Sequence, residues 1–364
     1  MKSQVKHISP LKLKAKDNRR KNLIMKGMKP YVVVFVIQTI YAIMFLLSKA
    51  AFDHGINNFI FVFYRQAVAT IFLIPFVFIF EWKLAPPLSL RTFCKIFLLS
   101  FFGITMAMDL NGVGLIYTSP TLAAASTNCL PVITFFLALL LRIESLKIKT
   151  VAGIAKLVGI VACLGGAATL AFYKGPHLQL LSHHHHLLGY HKQHDQSHSP
   201  SGTWIKGCFF LLLSNTFWGL WLVLQAFVLK DYPSKLSFTT LQCFLSSIQS
   251  LAIALAIERD IEQWKLGWNV SLLAIAYCGI IVTGVGYYLM TWVIEKKGPV
   301  FLAMSTPLAL IITILSSIFL FGDIISLGSI LGGFMLVVGL YSVLWGKSRE
   351  QTQKASQDLE QASS

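Results

Sequence analysis

Ten stretches of nearly unbroken apolar sequence alternate with polar connections along the chain, at about residues 31–51, 58–80, 93–115, 119–141, 151–173, 204–228, 236–257, 269–291, 300–321 and 325–345. Each approaches the roughly 20 residues that an α-helix needs to cross a hydrocarbon core of about 30 Å with every backbone amide bonded inside its own segment. Ten transmembrane helices are therefore expected. The first stretch follows a lysine-rich segment and ends without a small-residue cleavage pattern, so it reads as a retained helix and not as a signal peptide.

The pattern occurs twice. Pro120 and Pro299, Ser126-Thr127 and Ser305-Thr306, Thr134 and Thr313, Glu144 and Asp323, and Gly153 and Gly332 are each 179 residues apart, while Glu81 and Glu258 are 177 apart. Each copy holds five spans, an odd number, so the second copy must enter the membrane upside down. This is the inverted repeat on which many transporters build alternating access. The expected fold is all-α integral membrane. Residues 1–29 form a cytoplasmic basic tail, 30–173 the first repeat, 174–202 an extracytoplasmic linker, 203–346 the second repeat and 347–364 a cytoplasmic C-terminal tail.

Composition agrees: 55% hydrophobic and 13% charged residues with a mean hydropathy of +0.67 exclude an ordinary soluble domain. The net charge of +16 would suit nucleic acid, but its distribution gives it another meaning. With the N-terminus in the cytoplasm, 23 of the 31 basic residues fall on the cytoplasmic side and 5 on the other. By the positive-inside rule both termini are cytoplasmic, and attraction to anionic lipid is secondary. No nucleic-acid partner is expected. The six cysteines lie in or beside spans without paired spacing and read as small buried hydrophobes. Eight of the ten histidines, including the run His183 to His186, fall in the linker. With no cysteine or carboxylate cluster beside them, they read as a tolerant connection and not as a metal site.

The fourth helix of each half carries matched prolines. Pro120 and Pro299 open the helices, where a missing amide proton costs little, whereas Pro131 and Pro307 are expected inside them, freeing carbonyls and serving as hinges. Freed carbonyls beside Ser126, Thr127, Asn128, Ser305 and Thr306 are tolerable at membrane depth where they face protein or a polar cavity, so these residues are candidates for a substrate-binding lining. A plain packing kink is the alternative. Gly328 and Gly332, with Gly153, Gly159, Gly165 and Gly166, give the last helix of each half a smooth packing stripe.

An ionised side chain in the membrane needs a partner or a task. Arg65 lies about eight residues into the second helix, roughly 12 Å below the outer surface, and Asp109 roughly 6 Å below it in the third. A structural Arg65–Asp109 ion pair is one reading. The other gives Arg65 a substrate carboxylate, for which its planar fork is suited, and Asp109 an ammonium group or a coupling proton. Lys49 and Lys156 are expected to snorkel to the two surfaces. Gln242 stands in the second repeat where Arg65 stands in the first, and Trp218 and Tyr288 are candidate walls of the site. No nucleophile, base and orienter come together, and Gly346-Lys347-Ser348 fails as a phosphate loop because Tyr341 replaces the required glycine. No enzyme and no metal are expected. No cofactor is called for, though coupling to protons is a possibility.

Three passages carry a resemblance. Tyr117-Thr-Ser-Pro-Thr-Leu-Ala-Ala-Ala-Ser-Thr-Asn-Cys-Leu-Pro131, running on through Phe135 to Glu144, is similar to the signature of the plant EamA-like transporters, the Walls-Are-Thin-related (nodulin-type, UMAMIT) branch of the drug/metabolite transporter superfamily. The passage from Trp218 to Pro233, and Lys297-Gly-Pro-Val-Phe-Leu-Ala-Met with the closing Gly339 to Ser348, agree with it. The resemblance covers about residues 30–348. It implies ten helices as two EamA repeats and facilitated or proton-linked movement of small metabolites, most often amino acids leaving the cell, with auxin and related indoles handled by some members. The third helix departs from it: where the family often has an Asn-Gln-Asn stretch, this chain has Ala107-Met108-Asp109, losing a polar contact and gaining a charge.

The expected function is thus a secondary transporter moving amino acids by alternating access, exporting them or working in both directions. A carrier for auxin or another organic anion is the first alternative, and a receptor or scaffold that does not transport is the second. Asp109→Asn is expected to damage the first more than the second. The expected partners are a small-molecule substrate and membrane lipid, with a homodimer as a possibility, and the expected place is the plasma membrane before the vacuolar membrane.

Overall fold

A computed structural model describes residues 10–81, 87–117, 126–143, 150–173, 177–178, 201–321 and 325–363. Pro120, Glu144, Asp323 and the histidine run His183 to His186 lie outside the described residues, as do the side chains of Lys49 and Asp53.

The first repeat opens with α1 (Pro10–Asp53) and α2 (Asn58–Phe80). Asn57 starts α2 by accepting the Phe59 amide, which satisfies one of the four donors left open at a helix start. The third membrane helix, α3, is continuous from Leu90–Ser100 through a π-helical turn, Phe101–Met106, to Ala107–Tyr117. After it come α4 (Leu130–Leu140) and α5 (Val151–Phe172), the latter capped by Thr150. The second repeat gives α6 (Ser201–Asp231) and α7 (Lys235–Ile257). Then α8 runs from Val270–Tyr277 through a π turn, Cys278–Gly286, to Tyr287–Lys297. The ninth helix, α9, is built of Pro299–Met304 and Thr306–Phe321, and α10 spans Leu327–Ser363. The two π turns begin 177 residues apart, the interval that relates Glu81 to Glu258.

Among the described residues, seven helices are long and apolar enough to cross a membrane: Met28–Phe52, Asn58–Phe80, Leu90–Gly114, Ile205–Asp231, Lys235–Ile257, Val270–Lys297 and Leu331–Glu350. Three shorter apolar helices, Leu130–Leu140, Val151–Gly166 and Pro299–Thr313, occupy the remaining expected stretches. Among the described residues, one two-residue antiparallel pair joins β1 (His177–Leu178) to β2 (Ile325–Ser326).

Polar contacts between distant loops sort onto two ends of the bundle, as strict alternation of spans requires. At the end from which both chain termini project, called here the tail face, Glu81 meets Ser234 and Ser237, Lys95 pairs with Asp231, Lys235 with Glu295 and Lys156 with Glu350. At the opposite face Asn57 donates to Glu258, Tyr64 donates to the Trp264 carbonyl, and β1 pairs with β2.

The most extensive packing is between α5 and α10. Their glycines let the backbones touch: a Cβ on Gly159 would lie 2.6 Å from the Gly339 carbonyl oxygen, and one on Gly339 would lie 2.7 Å from that of Gly159. Without a hydrophobic drive between helices in lipid, such close approach is what holds a pair together. The expected packing stripe is present. The central core instead joins both halves, bringing Val34, Ile37, Leu73 and Ile104 against Trp221, Phe238, Tyr287 and Phe301.

Helical structure extends into both polar tails, α1 beginning at Pro10 and α10 running to Ser363. Two expectations change. Lys156 does not snorkel: it is 2% exposed, and its Nζ meets Glu350 Oε2 at 2.5 Å across the α5–α10 seam. Nor do Pro131 and Pro307 kink unbroken helices. Each sits in the first turn of a helical segment that restarts after a break, at Asn128-Cys129 and at Ser305, where a missing amide proton is cheap.

Candidate functional site

The breaks in α4 and α9 are held from outside their own repeats. Gln38 Nε2, on the first helix of the first repeat, donates to Ser305 Oγ at 2.7 Å, and Ser305 Oγ in turn donates to the Leu302 carbonyl at 2.6 Å. Asn215 Nδ2, on the first helix of the second repeat, donates to Ser126 Oγ at 3.1 Å. Gln38 and Asn215 are 177 residues apart, so the two bonds are counterparts under the repeat. Asn128 is buried in the first break, and Thr127 and Thr306 flank the two breaks half-buried.

The π turns serve the same interior. A π turn admits one extra residue and re-aims the side chains around it. In α8 this presents Thr283, whose Oγ1 accepts Arg65 Nε at 2.7 Å. In α3 it presents Thr105, which bonds Ser246 Oγ at 2.8 Å and Gln249 Oε1 at 3.1 Å on α7. Gly103, in the same turn, leaves room for Trp221: a Cβ there would fall 2.4 Å from that of the tryptophan.

Arg65 is 7% exposed, and its Nη2 has no hydrogen-bond partner. The titratable groups facing it are the hydroxyls of Tyr41 and Tyr287 and the thiols of Cys243 and Cys278, with no carboxylate among them. The same core holds two further buried amide donors without partners, Gln225 Nε2 and Gln242 Nε2, and brings the Gln66 amide to the Tyr287 hydroxyl. Gln242 is tied on its other side, its Oε1 accepting the Trp221 indole N–H at 3.1 Å, and Thr291 donates to Gln225 Oε1 at 3.1 Å. An aromatic wall closes one side. The Trp218 and Trp221 ring centroids are 4.7 Å apart, Trp221 and Tyr287 5.1 Å, and Trp218 and Tyr287 6.0 Å. Buried polar atoms are nearly always paired in proteins, so these orphans make the cluster a candidate for binding something polar. In this conformation the cluster is shut from the surface, with Tyr287 at 0% and Gln242 at 1% exposure. The open grooves lie elsewhere, the more polar of them about 580 Å³ near the tail face between α2 and α7.

Of the residues singled out from sequence, Arg65, Gln242 and Trp218 come together here, and Ser126 and Ser305 anchor the two breaks. The wall tyrosine is Tyr287, next to the expected Tyr288, which is half-buried. The Arg65–Asp109 ion pair does not form: both Asp109 oxygens are buried without partner and Arg65 turns to Thr283. Gln38, Tyr41, Gln66 and Thr283 were not foreseen. A signal for Gln38 was present in its 177-residue spacing from Asn215.

Two carboxylates bracket the site along the bundle. Glu81, just past the end of α2, accepts from Ser234 Oγ, from the Ser237 amide and hydroxyl at 2.8 and 2.9 Å, and from the Leu236 amide at 3.4 Å, all at the start of α7. Burial alone would raise its pKa, but the hydrogen bonds from Ser234, Ser237 and Leu236 outweigh that and hold the carboxyl below its ordinary range. Glu258, just past the end of α7, accepts from Asn57 at the start of α2 at 2.7 Å. Both pairs obey the 177-residue relation, Asn57 to Ser234 and Glu81 to Glu258. The tail-face clasp thus has four hydrogen bonds and its opposite-face counterpart one.

Two five-helix halves that supply each other's polar contacts across a buried membrane core define a multi-pass membrane transporter of the inverted-repeat class. A solved crystal structure superposes with a TM-score of 0.61 at 13% identity over 86% of this chain and 97% of that one, which shows the shared fold. The chain belongs to the EamA-like transporter family, whose model matches residues 28–170 and 205–345. Among its relatives in Arabidopsis thaliana, "WAT1-related protein At5g64700" is 61% identical over 331 residues, covering 90% of this chain and 92% of that protein. "WAT1-related protein At1g43650" is 44% identical, covering 90% and 94%, and "Protein WALLS ARE THIN 1" is 38% identical, covering 92% and 87%. The family consists of transporters and not of enzymes.

Proposed function

We propose that the chain carries small carboxylate-bearing metabolites, amino acids first among them, by alternating access, with Arg65 as the carboxylate anchor. The observation that carries this is the unpartnered Nη2 of a buried arginine in a core that also holds two buried amide donors without partners, on Gln225 and Gln242. A planar guanidinium with free donors suits a carboxylate, whose oxygens would also take the amide N–H groups. The α-ammonium of an amino acid would meet Gln66 Oε1 and the faces of Trp218, Trp221 and Tyr287, which attract cations. Substrate size is bounded by the same wall.

One observation favours a second reading. Three rings at 4.7 to 6.0 Å form a surface on which a flat aromatic acid, such as an indole carboxylate, would stack. The tail face is assigned to the cytoplasm on the charge bias, and the plasma membrane is preferred to the vacuolar membrane.

The test is counterflow in liposomes of the purified protein with a labelled amino-acid panel and indole-3-acetate. Saturable exchange of amino acids that Arg65→Ala removes supports the first reading, and exchange of indole-3-acetate alone supports the second. Exchange that persists in Arg65→Ala overturns the anchor.

A further inference from the structure

Asp109 is the second charged residue at the heart of the bundle, and the site above does not use it. It is 5% exposed and neither carboxylate oxygen has a hydrogen-bond partner. It lies on one face of α3 with Thr105 a turn before it and Gly112 a turn after it. Thr105 bonds Ser246 and Gln249 of α7, and Gly112 lies against Asn58 of α2, whose Nδ2 is also buried without a partner. On the adjoining residues Met108 receives Gln66 Nε2 of α2 at 3.7 Å, and the Ala107 carbonyl accepts from Ser214 Oγ of α6 at 2.6 Å. The polar groups that α2, α6 and α7 bring to this stretch are therefore Asn58, Gln66, Ser214, Ser246 and Gln249, none of which titrates. Among the described residues no charged side chain is in hydrogen-bond or ion-pair contact with Asp109.

Arg65 and Asp109 are thus single charges of opposite sign enclosed in one membrane-embedded bundle, each without a counter-ion in contact. Enclosing net charge in hydrocarbon is expensive, so the closed bundle is cheapest when its charges sum to zero. An empty carrier meets that condition with Arg65 protonated and Asp109 ionised. Once a carboxylate cargo has cancelled the charge of Arg65, the bundle closes at zero only if Asp109 is neutral. A zwitterionic cargo adds no net charge and needs no such change.

We propose that Asp109 is a proton-binding site that balances the charge of the cargo held at Arg65: a cargo with a net negative charge crosses with one proton on Asp109, and a zwitterion crosses without one. This rests on the carrier reading above. An O–H bond forms on an Asp109 oxygen with a proton from water on the loading side, and the same bond breaks to water on the other side. No electron changes hands.

The test uses purified full-length protein in liposomes containing a pH-reporting dye, with glutamate and glutamine as probes because neither crosses a bare bilayer. Glutamate uptake is expected to acidify the lumen with about one proton per glutamate, as a single relay carboxylate would give, and its rate to ignore an imposed membrane potential. Glutamine uptake moves no protons. In Asp109→Asn the proton-to-glutamate ratio falls toward zero and the glutamate rate becomes sensitive to potential, while Asp109→Glu restores both wild-type behaviours. A ratio that is unchanged in Asp109→Asn overturns the proposal, as does wild-type glutamate uptake without protons. Wild-type protein that moves neither probe overturns it together with the carrier reading, whereas glutamine uptake without glutamate uptake overturns the proton site alone.

Discussion

Gln38 of α1 reaches across the repeat boundary to hold Ser305 in the break of α9, 2.7 Å away. Its counterpart 177 residues on, Asn215 of α6, does the same to Ser126 in the break of α4. Each break is therefore held by the opposite half, a contact of the kind that would couple the halves of a carrier working by alternating access.

Removing either amide tests this. Gln38→Ala leaves the buried Ser305 hydroxyl without its donor, at a cost of about 1–3 kcal/mol. Substrate exchange is expected to slow by on the order of tenfold, and Asn215→Ala to match it. Equal losses in the two variants, read as initial counterflow rates, would mark the bonds as counterparts. Loss in only one would show that the halves move independently.

At Arg65, charge and shape separate. Arg65→Lys keeps the charge but loses the fork that meets a carboxylate with two bonds. It is expected to raise the half-saturating concentration by about tenfold or more, whereas Arg65→Gln, which copies Gln242 of the other half, removes exchange of acidic cargo altogether. A concentration series on each variant decides it.

The clasps at Glu81 and Glu258 predict opposite shifts. Glu81→Gln weakens the bonds to the start of α7 and is expected to open the tail face, seen as faster labelling of a cysteine placed at Thr240. Glu258→Gln is expected to favour opening of the opposite face and to slow that labelling. Because the Glu81 carboxyl is held below its ordinary range, its contribution is fully present at neutral pH and is lost only as the pH falls below that range. Labelling at Thr240 should be flat around pH 7 and rise only in acid. A rise near neutrality would contradict the assignment.

Lys156 and Glu350 bear on stability. Glu350→Gln removes the carboxylate that Lys156, 2% exposed, meets at 2.5 Å, and removing one partner of a buried pair costs up to about 3–5 kcal/mol. Thermal unfolding in detergent should come markedly earlier. Replacing both, as Lys156→Met with Glu350→Leu, is expected to recover most of the loss.

Much of the fold was legible because hydrophobic length and the 177- to 179-residue intervals act along the chain, where sequence is read directly. Seven long and three shorter apolar helices occupy the ten stretches, and loop contacts sort as inversion demands. The Arg65–Asp109 pair failed for a geometric reason. Counting residues into a helix gives a depth, not the direction a side chain takes around the axis, and the π turn in α8 offers Thr283 to Arg65 from another side. Tyr287 was missed in favour of Tyr288 for the same reason, since one residue turns a helical side chain by about 100°.

The exchange of hinge contacts also bears on how the chain is made. Until α9 emerges from synthesis Gln38 has no Ser305 to hold, and until α6 arrives Asn215 cannot reach Ser126, so both contacts form only once the second half is made. Assembly of the first half is finished by the second, and the two, synthesised as separate polypeptides in one membrane, should find each other and complete a single carrier.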